Sequence, residues 1–354
     1  MIYFPICIRG CSYNRLKLFV YFARHTAKMS MKKLLNNIVI RRASDLLLSP
    51  VTLFSAVWFK YIRSTTKQRM PVSEKIFMKV GVLPVNDHYY QPLVNPSKTL
   101  SKPLHKERNL KGIEWNISEQ LDLLSKFQFN DELSGLPAEK KAAEEHQYYI
   151  NNPSFLAGDG DFCYNIIRHF KPRKVIEIGC GYSTLICLQA EKKNEQTGSA
   201  PATHTCVEPY EMPWLEKLPV KVLRKKVEDI EVDFFSTLEA NDILFIDSSH
   251  MIRPQGDVLF EFLEILPVLK SGVLVHVHDI FTPRDYPKEW IVDKHSMWNE
   301  QYLLEAFLSF NREFRILGAV NFLKHNFRHE LDARCPNTAK MQDDEPGSFW
   351  MIRN

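Results

Sequence analysis

The chain is short of paired cysteines, long apolar runs, glycine and, over its first 44 residues, acid. Its seven cysteines stand at 7, 11, 163, 180, 187, 206 and 335, and no two form a C-x-x-C pair. That spacing offers neither a disulfide framework nor a zinc site. Several fall within apolar segments, where thiols act as small hydrophobes in a reducing compartment, so a cytoplasmic protein is expected. The longest apolar run near the start, Leu46 to Phe59, is interrupted by Pro50. A bilayer crossing takes roughly 20 apolar residues, so no transmembrane helix is expected. Residues 1–44 hold nine Lys or Arg and no Asp or Glu, leaving 37 basic against 42 acidic residues elsewhere, a balance of −5. A body of that charge carries no global field for nucleic acid.

The basic leader has three readings: a transit-like or membrane-surface segment, upstream sequence with Met29 or Met31 as the real start, or a solvated arm. On the second option for membranes, contact is peripheral, through residues 1–63 and an apolar segment flanked by Lys60 and Arg63. With 45% apolar and 25% charged residues, the 354-residue chain is otherwise globular in composition, long enough for one large domain plus an appendage. It contains no internal repeat and no low-complexity segment.

Glycines number only 13, so two in one turn carry weight. The stretch Lys174-Val-Ile-Glu-Ile-Gly-Cys-Gly-Tyr-Ser-Thr184 reads as a buried strand, a sharp turn and a helix start. Gly179 and Gly181 allow a tight backbone and close ligand approach, and Ser183 or Thr184 can cap the helix that follows. A dinucleotide fingerprint needs G-x-G-x-x-G, and its third glycine is replaced here by Thr184, which disfavours a nicotinamide oxidoreductase.

From this turn the chain alternates strand and helix. Strands are expected at Thr205–Val207, Val220–Leu223, Asp242–Asp247, Gly272–Asp279, Phe314–Phe322 and Ser348–Ile352. Helices are expected at Asp159–Phe170, Val258–Leu269 and Glu300–Phe310. The fold class is α/β: a Rossmann-like, doubly wound, seven-stranded and mainly parallel sheet with a helical or irregular N-terminal extension. Expected segments are a leader at 1–64, an extension at 65–150 and the main domain at 151–354. Within the extension, Ile117, Leu121, Leu124 and Phe127 fall at helical spacing, Glu139–His146 reads as a polar helix, and Asp87–Pro92 is a lid candidate.

Ligands of such sheets bind beyond the carboxyl ends of the strands, and the chemically capable residues fall there. Glu208 closes the second strand, 27 residues after Gly181, and an acid there can accept both ribose hydroxyls of an adenosine-bearing ligand. The polar insertion Lys192–Ala202 accounts for the long interval. Asp247-Ser-Ser-His250 ends the fourth strand and His278-Asp279 the fifth. Two carboxylates with imidazoles can hold Mg²⁺ or another divalent cation, or can supply a general base, for which His250 is the first choice. His276 lies deeper on the strand and is expected to be packed. Aromatic and charged residues from Phe281 to Trp290, then Trp298-Asn-Glu300, suit a sugar or phenolic acceptor or simply pack the loop.

The pattern E-x-G-x-G at the end of a first strand resembles motif I of class I S-adenosylmethionine-dependent methyltransferases, and residues 155–354 resemble that family throughout. The resemblance implies S-adenosylmethionine held by Glu177, Gly179, Cys180, Gly181, Ser183, Glu208, Asp229 and Asp247, with Asp229 at the adenine amino group. The pattern is most similar to bacterial methyltransferases and to metal-dependent O-methyltransferases of the catechol and sugar-modifying kinds. There an acid after strand four and an acidic pair after strand five chelate the metal, which implies Asp247, His278 and Asp279 here. This chain departs by placing His278 where the first acid of that pair stands. The implied activity is O-methylation of a small-molecule or glycan acceptor, with His250, Asp247 and Asp279 as catalytic residues. The alternative is a non-catalytic scaffold at a membrane surface.

Overall fold

The computed structural model describes residues 38–64, 70–141 and 146–354. It divides into two compact units, Met1–Asn95 and Pro96–Asn354. The second unit therefore starts well before residue 151, and takes in most of the segment read as an extension.

In the first unit, one helix runs from Ile38 to Ser64 straight through Pro50. A proline inside a helix leaves the carbonyl four residues back without its backbone donor. Here the Ser49 hydroxyl donates to that carbonyl, of Leu46, at 2.8 Å. The expected interruption is thus absent, and the helix is long and apolar enough to cross a membrane by length and composition. A second helix, Pro71–Val80, ends on Gly81, whose left-handed φ of 79° lets its N–H reach the Phe77 carbonyl. Phe77 meets Phe59 edge to face at 5.2 Å between ring centroids. The Asp87–Pro92 segment belongs to this unit, with Tyr89 and Tyr90 exposed.

The second unit is built on a seven-stranded sheet: β1 Lys174–Ile178, β2 Thr203–Val207, β3 Lys221–Leu223, β4 Ile243–Ile246, β5 Leu274–Val277, β6 Phe314–Ala319 and β7 Phe349–Arg353. The spatial order is β3-β2-β1-β4-β5-β7-β6. The first five strands pair in parallel, and β7 runs antiparallel to both β5 and β6. The strand order reverses between β1 and β4, so their carboxyl ends open the crevice where such sheets bind ligands. One apolar cluster lies on each face. Ile176, Ile178, Leu244, Ile246, Val275 and Val277 point to one, and Val175, Ile243, Phe245 and Leu274 to the other. That is the alternation a sheet covered on both sides requires.

Helices Ala157–Phe170 and Tyr182–Gln196 pack on the second face. Residues 96–150 are tied into the same body. The Gln120 side chain accepts from the Ala319 N–H at 2.8 Å, and Asn116 accepts from the Ile316 N–H at 3.1 Å. Leu124, Phe127 and Leu133 are buried in the core.

Two local expectations differ from what is found. The sixth strand ends at Ala319, and Val320–Asn326 is a helix. Its partner β7 offers no pairing beyond Phe349, so the backbone is released to turn. Residues 139–141 of the expected polar helix are not helical. The carbonyls of Pro137 and Ala138 accept from Ile150 and Asn151 instead, which closes a chain reversal; the remainder of that expected helix through residue 145 lies outside the described residues.

Asp161 is buried on the helix Ala157–Phe170 and accepts from the Asn337 backbone at 2.8 Å and side chain at 2.9 Å. Burial outweighs those bonds and pushes its carboxyl up to about 7. The folded state therefore binds more protons than the unfolded one between pH ~4 and ~7, and stability falls as the pH rises through that window. Asp161→Asn is expected to reduce the slope of melting temperature against pH there, as calorimetry would show. An unchanged slope would assign the dependence elsewhere.

Candidate functional site

The glycine turn after β1 is set by contact with β4. Gly179 has φ of +73°, and a Cβ built there would lie 1.8 Å from the Asp247 carbonyl oxygen. Only glycine fits, on both counts. The Gly179 N–H reaches the Val207 carbonyl, and the Asp247 N–H reaches that of Ile178, which locks the ends of β2, β1 and β4 together. Below the turn, Glu177 is fully buried. Its carboxylate accepts from Ser183 at 2.6 Å and Thr184 at 2.7 Å, and meets His204 Nε2 at 3.0 Å. His204 Nδ1 meets Glu191 at 2.9 Å. Burial works against protonating His204, but Glu191 and Glu177 prevail and raise it well above its usual value. Cys206 joins Glu177 and His204 in a donor set close enough for a metal, yet the carboxylate oxygens are already occupied by these bonds.

Above the turn lies a cavity of about 700 Å³ whose walls include Gly179, Gly181, Glu208, Glu228 and Asp247. That volume lies in the usual range for a small-molecule or cofactor site. Glu208 closes β2, and its Oε1 accepts from the N–H groups of Tyr210 and Glu211, both at 2.8 Å. Arg224 braces this loop by donating to the carbonyls of Glu208, Glu211 and Met212.

At the ends of β4 and β5, six ionisable groups converge. His250 Nε2 lies 3.4 Å from Asp247 Oδ1 and 3.3 Å from Asp279 Oδ2, while its Nδ1 meets Glu300 at 2.8 Å. His278 Nδ1 is 3.5 Å from Asp247 and 3.4 Å from Asp279, and its Nε2 is 3.6 Å from Asp159. Both His250 and Asp279 sit at positive φ, 58° and 57°. Burial depresses the two imidazoles, but the surrounding carboxylates raise both well above their usual values. Burial alone would raise Asp247, yet His278 and His250 hold it well below the ordinary carboxylate range. Asp279 and Glu300, buried among other acids, are raised. Ligand atoms of Asp247, His250 and Asp279 all lie within 4.8 Å of one another, an arrangement able to hold a metal ion.

Residues 176–280 match the family model of a methyltransferase domain. Over these residues the chain carries a methyltransferase domain, and the sheet gives it the class I fold. The seven-stranded order with its reversed β7 is the architecture of that class. An uncharacterized protein of Archaeoglobus fulgidus is 27% identical over 182 residues, covering 48% of this chain and 80% of its own. Among solved structures, an O-methyltransferase from Bacillus cereus in complex with SAH aligns at a TM-score of 0.34 and 12% identity, over 70% of this chain and 100% of that one. MycE, a methyltransferase of the mycinamycin biosynthetic pathway in complex with Mg, SAH and mycinamycin VI, aligns at 0.27 and 14%, over 48% of this chain and 52% of that one. These two likenesses are loose, and the topology carries the fold without them.

The methyltransferase domain gathers most of the residues expected at its site, with four adjustments. Glu177 does not face the cavity but clamps the turn from beneath. Ser183, although on the cavity wall, spends its hydroxyl on Glu177. Asp229 is exposed and off the wall, because the turn Val227–Asp229 is 3₁₀ and directs Glu228 inward. Among the described residues the cation-binding set of Asp247 and Asp279 includes His250 rather than His278, whose Nδ1 lies 3.5 Å from Asp247 and 3.4 Å from Asp279. Cys180 lines the cavity, and His276 is packed, stacked on Phe245 and paired with Ser348 at 3.0 Å.

Glu300, His204, Arg224 and Asp159 had no local signal. Each is an ordinary polar residue in sequence, placed by contacts such as Asp159 with His278, 119 positions away, that only the fold reveals. Replacing Glu177 by Ala would leave Ser183, Thr184 and His204 without their acceptor inside the core. A loss of ~3 kcal/mol or more in unfolding free energy is expected, readable by urea denaturation. A change under ~1 kcal/mol would mean that water substitutes for the carboxylate. The raised His204 also sets a direction: its contribution is full below pH ~6.5 and fades as the pH climbs through its elevated folded value. His204→Gln is expected to remove that alkaline loss of stability.

Proposed function

We propose that the domain methylates a hydroxyl of a small acceptor, a sugar, glycan or glycosylated metabolite, with His250 as general base. The observation that carries this reading is the double position of Asp247. It lines the glycine-turn cavity, and its carboxylate lies 3.4 Å from His250 Nε2. The donor cavity and the basic cluster thus share a wall, as an in-line transfer requires.

S-adenosylmethionine, when bound, supplies a methyl group on a sulfonium, open to displacement by an oxygen nucleophile. Glu208, with one oxygen fixed by two backbone N–H groups, has its other oxygen available to the ribose hydroxyls. The glycine turn lets the backbone approach the methionine portion. Glu300 fixes the His250 ring through Nδ1, so Nε2 is the atom turned towards Asp247 and Asp279, and once the raised imidazole has lost its Nε2 proton it is the one to take the acceptor proton. In place of that base, Asp247, His250 and Asp279 could hold a divalent cation, Mg²⁺ or Mn²⁺, with His250 Nε2 as a ligand, and the cation would then lower the pKa of an acceptor hydroxyl.

The acceptor class rests on the loop after β5. Phe281, Tyr286, Trp290 and Trp298 form an aromatic group, with Trp290 5.0 Å from Trp298 and Trp298 4.6 Å from the His250 ring. Beside it lies a cavity of about 540 Å³ lined by Leu104, Phe281, Tyr286, Arg284 and Lys288 among others. Aromatic faces with a few polar groups suit a sugar ring or a phenol.

Calorimetric titration of the full chain with S-adenosylmethionine is the first test. Binding weakened by ~10-fold or more in Glu208→Ala is expected, the worth of a lost charge-assisted pair. No binding by the unmodified chain would sink the reading. In an acceptor screen over sugars and phenols, His250→Ala is expected to lower kcat by ~10²-fold or more while leaving donor affinity within a few-fold. Activity lost to EDTA and restored by Mg²⁺ or Mn²⁺ would support the cation; activity indifferent to both would leave His250 as a metal-free base.

A further inference from the structure

The helix Ile38–Ser64 exposes a belt of large apolar residues with nothing polar to answer it. Leu46, Leu47 and Phe54 are each more than 70% exposed, and Val51, Val57 and Tyr61 more than half. Only 6% of its most apolar 18-residue window is buried, so it is not a core helix of the described unit.

Its charged residues are not scattered. At ~100° per residue, all of them, Arg41, Arg42, Asp45, Lys60 and Arg63, fall with Ser49 and Thr52 on a strip about 100° wide, which also takes in Ile38, Ala56 and Phe59. Outside it the polar residues are Ser44, Ser55 and Ser64, and the opposite arc, with Leu47, Val51, Phe54, Val57 and Trp58, carries no charge. A helix that crosses a bilayer gains nothing from such alignment. One that lies in the headgroup plane needs it, because one side meets phosphates and water while the other meets acyl chains. Trp58 and Tyr61, near one end, are residues suited to that boundary.

Charge chooses the occupant. The strip carries four cations against Asp45, and residues 1–44 contain nine Lys or Arg without one acid. Two copies of such a segment repel each other, whereas an anionic surface attracts it at about 1 kcal/mol per basic residue near the headgroups. We infer that Ile38–Ser64 docks on anionic phospholipid membranes, lying in the interface with its apolar arc in the acyl boundary. The methyltransferase domain is thereby held at a membrane surface.

Sedimentation of the full chain with vesicles tests this. Binding is expected to vesicles of phosphatidylcholine containing about 30% phosphatidylserine, to weaken several-fold as salt is raised, and to be released by alkaline carbonate. Leu47→Glu with Phe54→Glu is expected to weaken binding by ~10-fold or more, since two buried apolar side chains become charged. Lys60→Glu with Arg63→Glu should lower binding to the anionic vesicles while leaving the circular-dichroism spectrum unchanged, so a folding defect is told apart from lost docking. Absence of binding to the anionic vesicles overturns the inference. So does full binding by the Leu47, Phe54 double variant, which would place attachment in the leader alone. Resistance to carbonate also overturns it, in favour of a spanning helix.

Discussion

Everything at the working edge of the sheet depends on how closely two strand ends approach. The backbone of Gly179 and the carbonyl of Asp247 leave no room for a single added carbon. That contact brings the cavity after β1 and the acids after β4 under one roof. It also explains why the glycine turn needs support from below. A backbone at positive φ in a crevice has few bonds of its own, and the buried Glu177 supplies them through Ser183, Thr184 and His204. The turn is shaped by its neighbour and stiffened by its foundation.

The second governing feature is the balance of buried charge. Asp247, Asp279, Glu300 and Asp159 surround two imidazoles in a region with little water. Such a set is costly unless its members compensate one another. They do so unequally: Asp247 keeps its charge firmly, while Asp279 and Glu300 hold protons more readily than exposed acids. Behind them Glu261, raised by burial and by Glu300, adds another acid, placed by the π turn Glu261–Ile265. Such turns recur at functional sites, since one extra residue re-aims the side chain without ending the helix.

Much of this was legible in the sequence because the informative residues lie at strand ends, where period and punctuation coincide. The apolar run before Gly179 gave β1, and Asp247 and Asp279 each follow an apolar strand directly. The absent third glycine separated the turn from dinucleotide binders. What could not be read has a common cause. Glu300 reaches His250 across 50 positions, and His204 reaches Glu177 across 27. Neither spacing is periodic, so no local pattern announces it. Asp229 is exposed while its neighbour Glu228 lines the cavity, because the two lie on a 3₁₀ turn whose successive side chains point about 120° apart. Pro50 misled for a different reason: its cost was met by the hydroxyl beside it, a compensation invisible to a rule about prolines.

The place of β7 has a consequence for how the sheet is assembled. It is inserted between β5 and β6, antiparallel to both, although it follows them in the chain. On the ribosome, β1 to β5 can pair as they emerge, but β6 has no neighbour until β7 arrives. The growing chain therefore carries an open strand edge on β5, with the loops of the acceptor side still unanchored, for as long as the helices between β6 and β7 take to be synthesised. The ring contact across this seam, His276 against Trp350, therefore waits for β7 to be made.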